Sequence, residues 1–444
     1  MEPIAMSADR LIVLSCCLLL ISCASINRFS ERQLDRMLEE ESPAFRSAFT
    51  GFALYDPASD EILYSHRGKR YFTPASNTKI LTLYTALQAM GDSIPLLQYS
   101  IKNNQLTLIG TACPAFMHPD LPQDTIFMNF LQNRHAPVSV YFPPFYDEKY
   151  GPGWAWDDNN RRFQTQRSPF PIYGNSVRFK LDTNERSLRT YPEYFQIATQ
   201  KVKEPQDHSF IRKRRKGNVY EYSIGREGDV KELESELPFQ DSEQVFTTLL
   251  SGFTRHEVRI AYNRPDDIQT VYYPYPDSLY AYFMHRSDNF TAEHLLLQSA
   301  LVWTDSLRSY NAINRMKKGA FSQLPQEAIW VDGSGISRYN MLSPLSIVSV
   351  LELIYDQYRE DEWKCWFPAG GRDGTIAHHY GGESPWIYAK TGTMRNNHCL
   401  SGFLITKRGK VLLFSFMNNH FTGSSQRYKE SMERVLRYIR DTYK

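Results

Sequence analysis

Three short motifs in a fixed order constrain this chain most: Ser76-Asn77-Thr78-Lys79, Ser287-Asp288-Asn289 and Lys390-Thr391-Gly392. A serine and a lysine three residues apart share one face of a helix. The amine can then take the hydroxyl proton and free the oxygen to attack a carbonyl. A second Ser/Asn pair can relay protons and hold an amide. A lysine beside Thr-Gly can receive a carboxylate and the backbone of an extended substrate. A fold that lets the three act together must join segments about 210 and about 100 residues apart.

Each motif is common alone, so context decides. Ser-x-Asn also occurs at Ser25-Ile26-Asn27 and at Ser309-Tyr310-Asn311. The first precedes the nucleophile motif. Ser287 is preferred to Ser309 because the apolar run Leu295-Leu296-Leu297 follows it within two helical turns. Thr73-Pro74 reads as an N-cap and first-turn proline before Ser76. The run Ile80 to Leu87 continues the helix. Its N-terminus would favour negative charge developing at Ser76. Lys390 follows Trp386-Ile387-Tyr388-Ala389, and another strand-like run, Leu400 to Ile405, comes after it.

The two ends of the chain have a similar pattern. Ser30-x-x-Gln33 reads as a capping box that opens a helix through about Glu40. Strands are expected at Phe49–Tyr55 and Ile62–Ser65, then at Leu400–Ile405 and Val411–Met417, with a helix from Gln426 to Tyr443. Strands and helices at both ends suggest one sheet covered by helices, an α+β layer. Between them, from about Leu97 to Phe239, short strands, prolines and aromatics replace helical periodicity. This predicts a β-rich insertion over 97–239, of one or two modules, in a catalytic domain made of 23–96 and 240–444. The balance of 51 Lys+Arg against 49 Asp+Glu gives no reason to expect a nucleic acid as partner.

Residues 1–22 read as a targeting segment. Leu11 to Ile21 is apolar but too short to span a bilayer, and it ends in Leu20-Ile21-Ser22-Cys23. That ending is similar to the lipobox of bacterial lipoproteins, in which the cysteine is acylated. The alternative is a plain secretory peptide with Cys16, Cys17 and Cys23 as small apolar residues. The lipobox reading places the protein in a bacterial cell envelope, periplasmic and lipid-anchored at Cys23, with the outer membrane as its expected site. Of the remaining cysteines, Cys113, Cys365 and Cys399, the last two are candidates for a bridge in an oxidising compartment.

With these residues in view, the chain resembles the class C low-molecular-mass penicillin-binding proteins, the D-Ala-D-Ala carboxypeptidase/endopeptidase family. The three motifs carry the likeness. So do Tyr150-Gly151-Pro152-Gly153-Trp154-Ala155-Trp156-Asp157-Asp158, Asn289-Phe290-Thr291-Ala292-Glu293, Asp332-Gly333-Ser334-Gly335-Ile336-Ser337-Arg338-Tyr339-Asn340 and Gly371-Arg372-Asp373-Gly374-Thr375. A large insertion between the first two motifs is also a family trait. Gly110-Thr111-Ala112-Cys113-Pro114 departs from the family's glycine-rich stretch ending in Asp-Pro.

The resemblance implies a penicillin-binding/β-lactamase-like serine transpeptidase fold, an antiparallel sheet covered by helices. It implies a serine peptidase acting on peptidoglycan stem peptides and acylated by β-lactams, with no metal and no organic cofactor. Ser76 would be the nucleophile and Lys79 its base, with the Lys79 pKa lowered by burial or by nearby positive charge, which Lys390 could supply. Ser287 would pass a proton to the leaving group, and Asn289 would hold the substrate amide. Lys390 and Thr391, with Gly392 and Thr393, would bind the terminal carboxylate and substrate backbone. The Ser76 and Thr393 amides would form the oxyanion hole. A β-lactamase and a non-catalytic wall-binding lipoprotein are the rivals. Carboxypeptidase and endopeptidase activity are not separable at this level.

Three further features have a plain reading and a functional one. Asp332-Gly333-Ser334-Gly335 reads as a tight loop lining the cleft rather than a second nucleophile. His378-His379 reads as an exposed loop rather than a metal site. Arg212-Lys213-Arg214-Arg215-Lys216 reads as a solvated hairpin tip, with contact to anionic lipid or wall polymer as the alternative.

Overall fold

The computed structural model describes residues 29–134, 136–182, 186–203, 207–225 and 232–444. The targeting segment and Cys23 lie outside the described residues.

The two chain ends build one five-stranded antiparallel sheet. Its order is Ile387–Met394, Asn397–Ile405, Val411–Asn419, Phe49–Asp56, Glu61–His66. Phe49–Asp56 pairs with Val411–Asn419, setting Phe52 opposite Phe416. The sequence Phe52-Ala53-Leu54-Tyr55 is apolar without a break because this strand is covered on both faces. Phe52 and Leu54 pack, with Phe414 and Phe416, against the C-terminal helix Gln426–Thr442 and the N-terminal segment at Leu34, Leu38 and Phe45. Ala53 and Tyr55 face the opposite layer, which contains helix Lys79–Ala89.

The N-terminal helix is capped as expected on one side. Ser30 accepts from the Gln33 amide, while the Gln33 side chain turns to Glu41 rather than back to Ser30. The Ser30 amide donates instead to Tyr438. Regular α-helix ends at Asp35 and gives way to a wider π turn over Arg36–Glu41.

The insertion is larger than the sequence indicates. Its first sheet has five strands: Val258–Ile260, Val138–Tyr141, Gln105–Ile109, Pro95–Lys102 and Gln269–Tyr272. Two of these lie beyond residue 239, so this module closes at Tyr272 and the division at 239/240 does not hold for its strands. Gln105–Ile109 and Val138–Tyr141 run parallel, so their connection must cross over, and helix Thr125–Gln132 lies within it. Asp124 caps that helix, which a search for long helical periods passes over. Two three-stranded sheets follow, one of Glu232–Pro238, Ser176–Asp182 and Ser187–Tyr191, the other of Thr199–Lys201, Tyr220–Ser223 and Phe210–Lys213. The insertion shares its core with the catalytic helices: Leu106, Phe116, Phe170 and Phe239 belong to the same apolar cluster as Ile80 and Leu83.

The basic run leads into the turn of the hairpin Phe210–Lys213/Tyr220–Ser223 and is mostly exposed, as expected. Arg212 and Arg214 both bond Glu221, Arg215 stacks on Trp156 at 4.6 Å, and Lys213 is buried. Cys113, Cys365 and Cys399 are all free thiols, so the Cys365–Cys399 bridge is not formed.

Candidate active site

The Ser76 turn is tighter than an α-helix. Ala75–Thr78 is a 3-10 turn that leads into the α-helix at Lys79. Thr73 does not cap it: its amide and carbonyl are both held by the Asn419 side chain, and Pro74 occupies the cap position without a side-chain bond. Ala75 sits at φ +47° and Ser287 at φ +54°, backbone conformations costly for residues with a Cβ. Such strain gathers where the surrounding structure over-determines a functional geometry.

Lys79 is fully buried, and its ammonium has three acceptors for its three protons. They are Ser76 Oγ at 3.0 Å, Asn289 Oδ1 at 2.6 Å and the Ser334 carbonyl at 2.6 Å. Burial lowers the Lys79 pKa to about 8, while Asp288, Asp332 and Glu293 pull it upward. Of the two expected causes, burial is the leading one. Lys390 is itself fully buried, which holds its pKa well below the ordinary lysine value, and Lys79 pushes it down further. As buried like charges, the two lysines disfavour each other's protonation.

Asn289 turns its amide oxygen to Lys79 and also lines the cleft. Its amide nitrogen donates to the Phe163 carbonyl at 2.8 Å, which ties the insertion to the second motif. Lys390 Nζ donates to Ser287 Oγ and to the Thr391 carbonyl, each at 2.8 Å. Lys390 is buried, and its amine meets the Ser287 hydroxyl that lines the cleft. Thr391 Oγ1 bonds Thr375 Oγ1 at 2.7 Å, which brings the Gly371–Thr375 stretch to the same strand.

The Lys390 strand is an edge strand, so alternate backbone groups face outward. Ala389 N donates outward to Pro368 O, and Gly370 N donates to Ile387 O. The same alternation turns the Thr391 and Thr393 amides to the open edge. Gly392 lies against the Ser76 turn, where a Cβ would stand 2.4 Å from the Pro74 carbonyl. Asn77 fixes that contact by donating to the Lys390 carbonyl at 2.7 Å.

The cleft above these groups holds about 650 Å³ and is lined by Ser76, Ser287, Asn289 and Thr393, with Phe163 and Arg338 among its other walls. The Asp332 loop is the support beneath it. The Asp332 carboxylate accepts from the Gly335 and Ser337 amides, Asn340 Nδ2 and Trp154 Nε1. These bonds aim the Ser334 carbonyl at Lys79. Gly335, at φ +80°, has no room for a Cβ, which would come within 2.0 Å of Ala75 O. Glu293 Oε1 accepts from the Ser334 amide at 2.7 Å. The Asp332 loop lies at the cleft as expected, whereas the sequence assigns Glu293 no role; a carboxylate one helical turn beyond Asn289 was the available signal. Ser309-Tyr310-Asn311 opens a different helix and lines a separate cleft with Tyr146 and Trp330.

The profile of the D-Ala-D-Ala carboxypeptidase 3 (S13) family matches residues 30–221 and 274–438. The chain belongs to this family and is a hydrolase of the D-Ala-D-Ala carboxypeptidase class. It is 23% identical over 436 residues to the D-alanyl-D-alanine carboxypeptidase DacB of Haemophilus influenzae, covering 88% of this chain and 90% of that protein. The crystal structure of penicillin-binding protein 4 from the same organism superposes with a TM-score of 0.70 at 21% identity, over 93% of this chain and 98% of that one. A predatory endopeptidase of Bdellovibrio bacteriovorus gives a TM-score of 0.52 at 14% identity, over 89% and 94%. The fold is thus the α+β fold of the penicillin-binding proteins.

Proposed function

We propose that the protein cleaves peptidoglycan stem peptides through an acyl-enzyme on Ser76. The carrying observation is the buried Lys79 amine at 3.0 Å from Ser76 Oγ, with its pKa brought down to about 8. Neutral Lys79 keeps two protons for Asn289 and Ser334 and turns its lone pair to the Ser76 hydroxyl. Ser76 Oγ gives that proton to Lys79 and bonds the carbonyl carbon before the scissile amide. The oxyanion is received by the Ser76 and Thr393 amides. Collapse breaks the C–N bond, and the leaving amine takes a proton from Ser287, which recovers the one Lys79 received from Ser76, while Lys390 holds the Ser287 oxygen. Water then cleaves the ester.

The open strand edge at Thr391 and Thr393 receives the extended substrate backbone, and Lys390 contributes its field from beside Ser287. Glu293 is buried beneath the Asp332 loop and already accepts from Ser334, which does not suit the water-activating glutamate of a β-lactamase. The H. influenzae protein was crystallised in complex with a β-lactam, and here β-lactams are expected to acylate Ser76. A fluorescent penicillin should label the wild type, and Ser76→Ala should not label. Equal labelling of the variant would remove Ser76 as nucleophile.

The targeting segment supports a lipid anchor at Cys23 and a periplasmic, membrane-bound location. Cys23→Ala should move the protein from the membrane fraction to the soluble one. Unchanged membrane association would sink the anchor.

A further inference from the structure

The strand that bears Lys390 ends at Met394 and returns as Asn397–Ile405, with Arg395 and Asn396 making the turn between them. Asn396 takes φ +69° there, a conformation asparagine tolerates in tight turns. This register sets Thr393 directly opposite His398. Thr393 Oγ1 and His398 Nδ1 lie 2.9 Å apart, a hydrogen bond in which either atom can be the donor. The two partners have different surroundings. Thr393 is exposed and lines the reaction cleft, whereas His398 is buried, 1% exposed. Leu400 and Leu404, on the same face of the strand as His398, pack in one cluster with Tyr428 and Met432 of the C-terminal helix.

Burial holds the His398 pKa at about 3, and positive charge at Lys429 and His379 pushes in the same direction. The ring is therefore neutral near neutral pH and carries one proton, on Nδ1 or on Nε2. The two tautomers give Thr393 opposite characters. With the proton on Nε2, the Thr393 hydroxyl spends its own proton on Nδ1 and turns only lone pairs to the cleft, which repel a carboxylate. With the proton on Nδ1, the ring donates to Thr393 Oγ1, and the hydroxyl proton is left for an acceptor in the cleft.

The neighbouring groups make that proton matter. Of Lys390, Thr391, Gly392 and Thr393, only Thr393 is exposed. The Lys390 amine is engaged by Ser287 and the Thr391 carbonyl, and the Thr391 hydroxyl by Thr375. We propose that His398 is the positioning residue of the carboxylate subsite: as the Nδ1–H tautomer it donates to Thr393 Oγ1 and so directs the Thr393 hydroxyl proton to the C-terminal carboxylate of the substrate. Buried as it is, His398 acts through Thr393 and does not touch the substrate. The assignment rests on the peptidase reading above and deepens it, by naming the group that sets how a free C-terminus is recognised.

The test uses the full-length protein and has two readouts. In the nitrogen NMR spectrum of the histidine rings, the His398 signals, identified by their loss in His398→Asn, should show Nδ1 protonated and Nε2 bare. Kinetics are measured on an acyl-D-Ala-D-Ala peptide with a free carboxylate. His398→Leu removes the donor and should raise KM about tenfold while kcat stays within about twofold. His398→Asn sets an amide N–H close to the Nδ1 position and should keep KM within about threefold of the wild type. Thr393→Val should raise KM as much as His398→Leu, and the two combined should lose nothing more. A ring protonated on Nε2 overturns the assignment, and so does an unchanged KM in His398→Leu or an equal loss in His398→Asn. Should His398→Leu fail to fold, the spectrum and His398→Asn still decide. A wild type that leaves the peptide uncut overturns the peptidase reading, and this assignment with it; the other adverse results overturn the assignment alone.

Discussion

At the scale of single residues, the site depends on two buried lysines with different neighbours. Lys79 has Asp288, Asp332 and Glu293 to hold its charge, whereas for Lys390 the neighbouring charge is Lys79, a like charge. The sign of the pH dependence follows. Lys79 acts as a base only when neutral, so acylation should rise with pH and level off above its pKa of about 8. Lys390→Met should leave most of that limb in place, because burial is its leading cause. Its effect should be a slower acylation, through the loss of the bond to Ser287 Oγ. Acylation rates across pH 6 to about 10 for both proteins check this; an alkaline shift of one unit in the variant would restore the charge-coupling account. Glu293→Gln should do the reverse. It removes a carboxylate that raises the Lys79 pKa but keeps an acceptor for the Ser334 amide, so the limb should move toward acid.

At the scale of elements, the decisive contact is between the Ser76 turn and the Lys390 strand. It exists because Gly392 presents no Cβ to the Pro74 carbonyl and Asn77 bonds the Lys390 carbonyl. Gly392→Ala should push the strand off the turn by about an ångström, which typically costs about a hundredfold in a positioned reaction. Stopped-flow acylation measures that loss, and circular dichroism should show the sheet intact. The same contact explains what the sequence hid. Lys-Thr-Gly was legible as a motif, and the strand around it followed from Trp386-Ile387-Tyr388. That the buried Lys390 amine meets Ser287, while Thr393 lines the cleft, depends on which face of an edge strand meets a neighbouring turn. Local pattern carries no such information.

For the whole molecule, the insertion is part of the core rather than an appendage. Phe246 lies just past the expected boundary and packs on Phe116, Phe142 and Phe170 in the insertion. It is fully buried, so Phe246→Ala should cost about 3–5 kcal/mol. Calorimetry should show one transition moving as a unit, with penicillin binding lost at the same temperature. Two separate transitions would mean that the shared cluster does not couple the insertion to the catalytic helices. The insertion also touches the site itself, through Phe163 on Asn289 and Trp154 on Asp332.

The sequence by itself determined the chemistry and the outer frame. Residue types at helical and strand spacing specify a nucleophile with its amine, and doubly covered strands at both chain ends specify a sheet buried under helices. These are local properties, set within a few residues by periodicity and propensity. Only the tertiary structure decided where the insertion closes, since Val258–Ile260 and Gln269–Tyr272 join a sheet begun at Pro95. It alone set which lysine has carboxylates in its surroundings and which faces a like charge. Each of these depends on contacts between distant segments, whose closure is fixed by the packing of the whole core rather than by any stretch of chain.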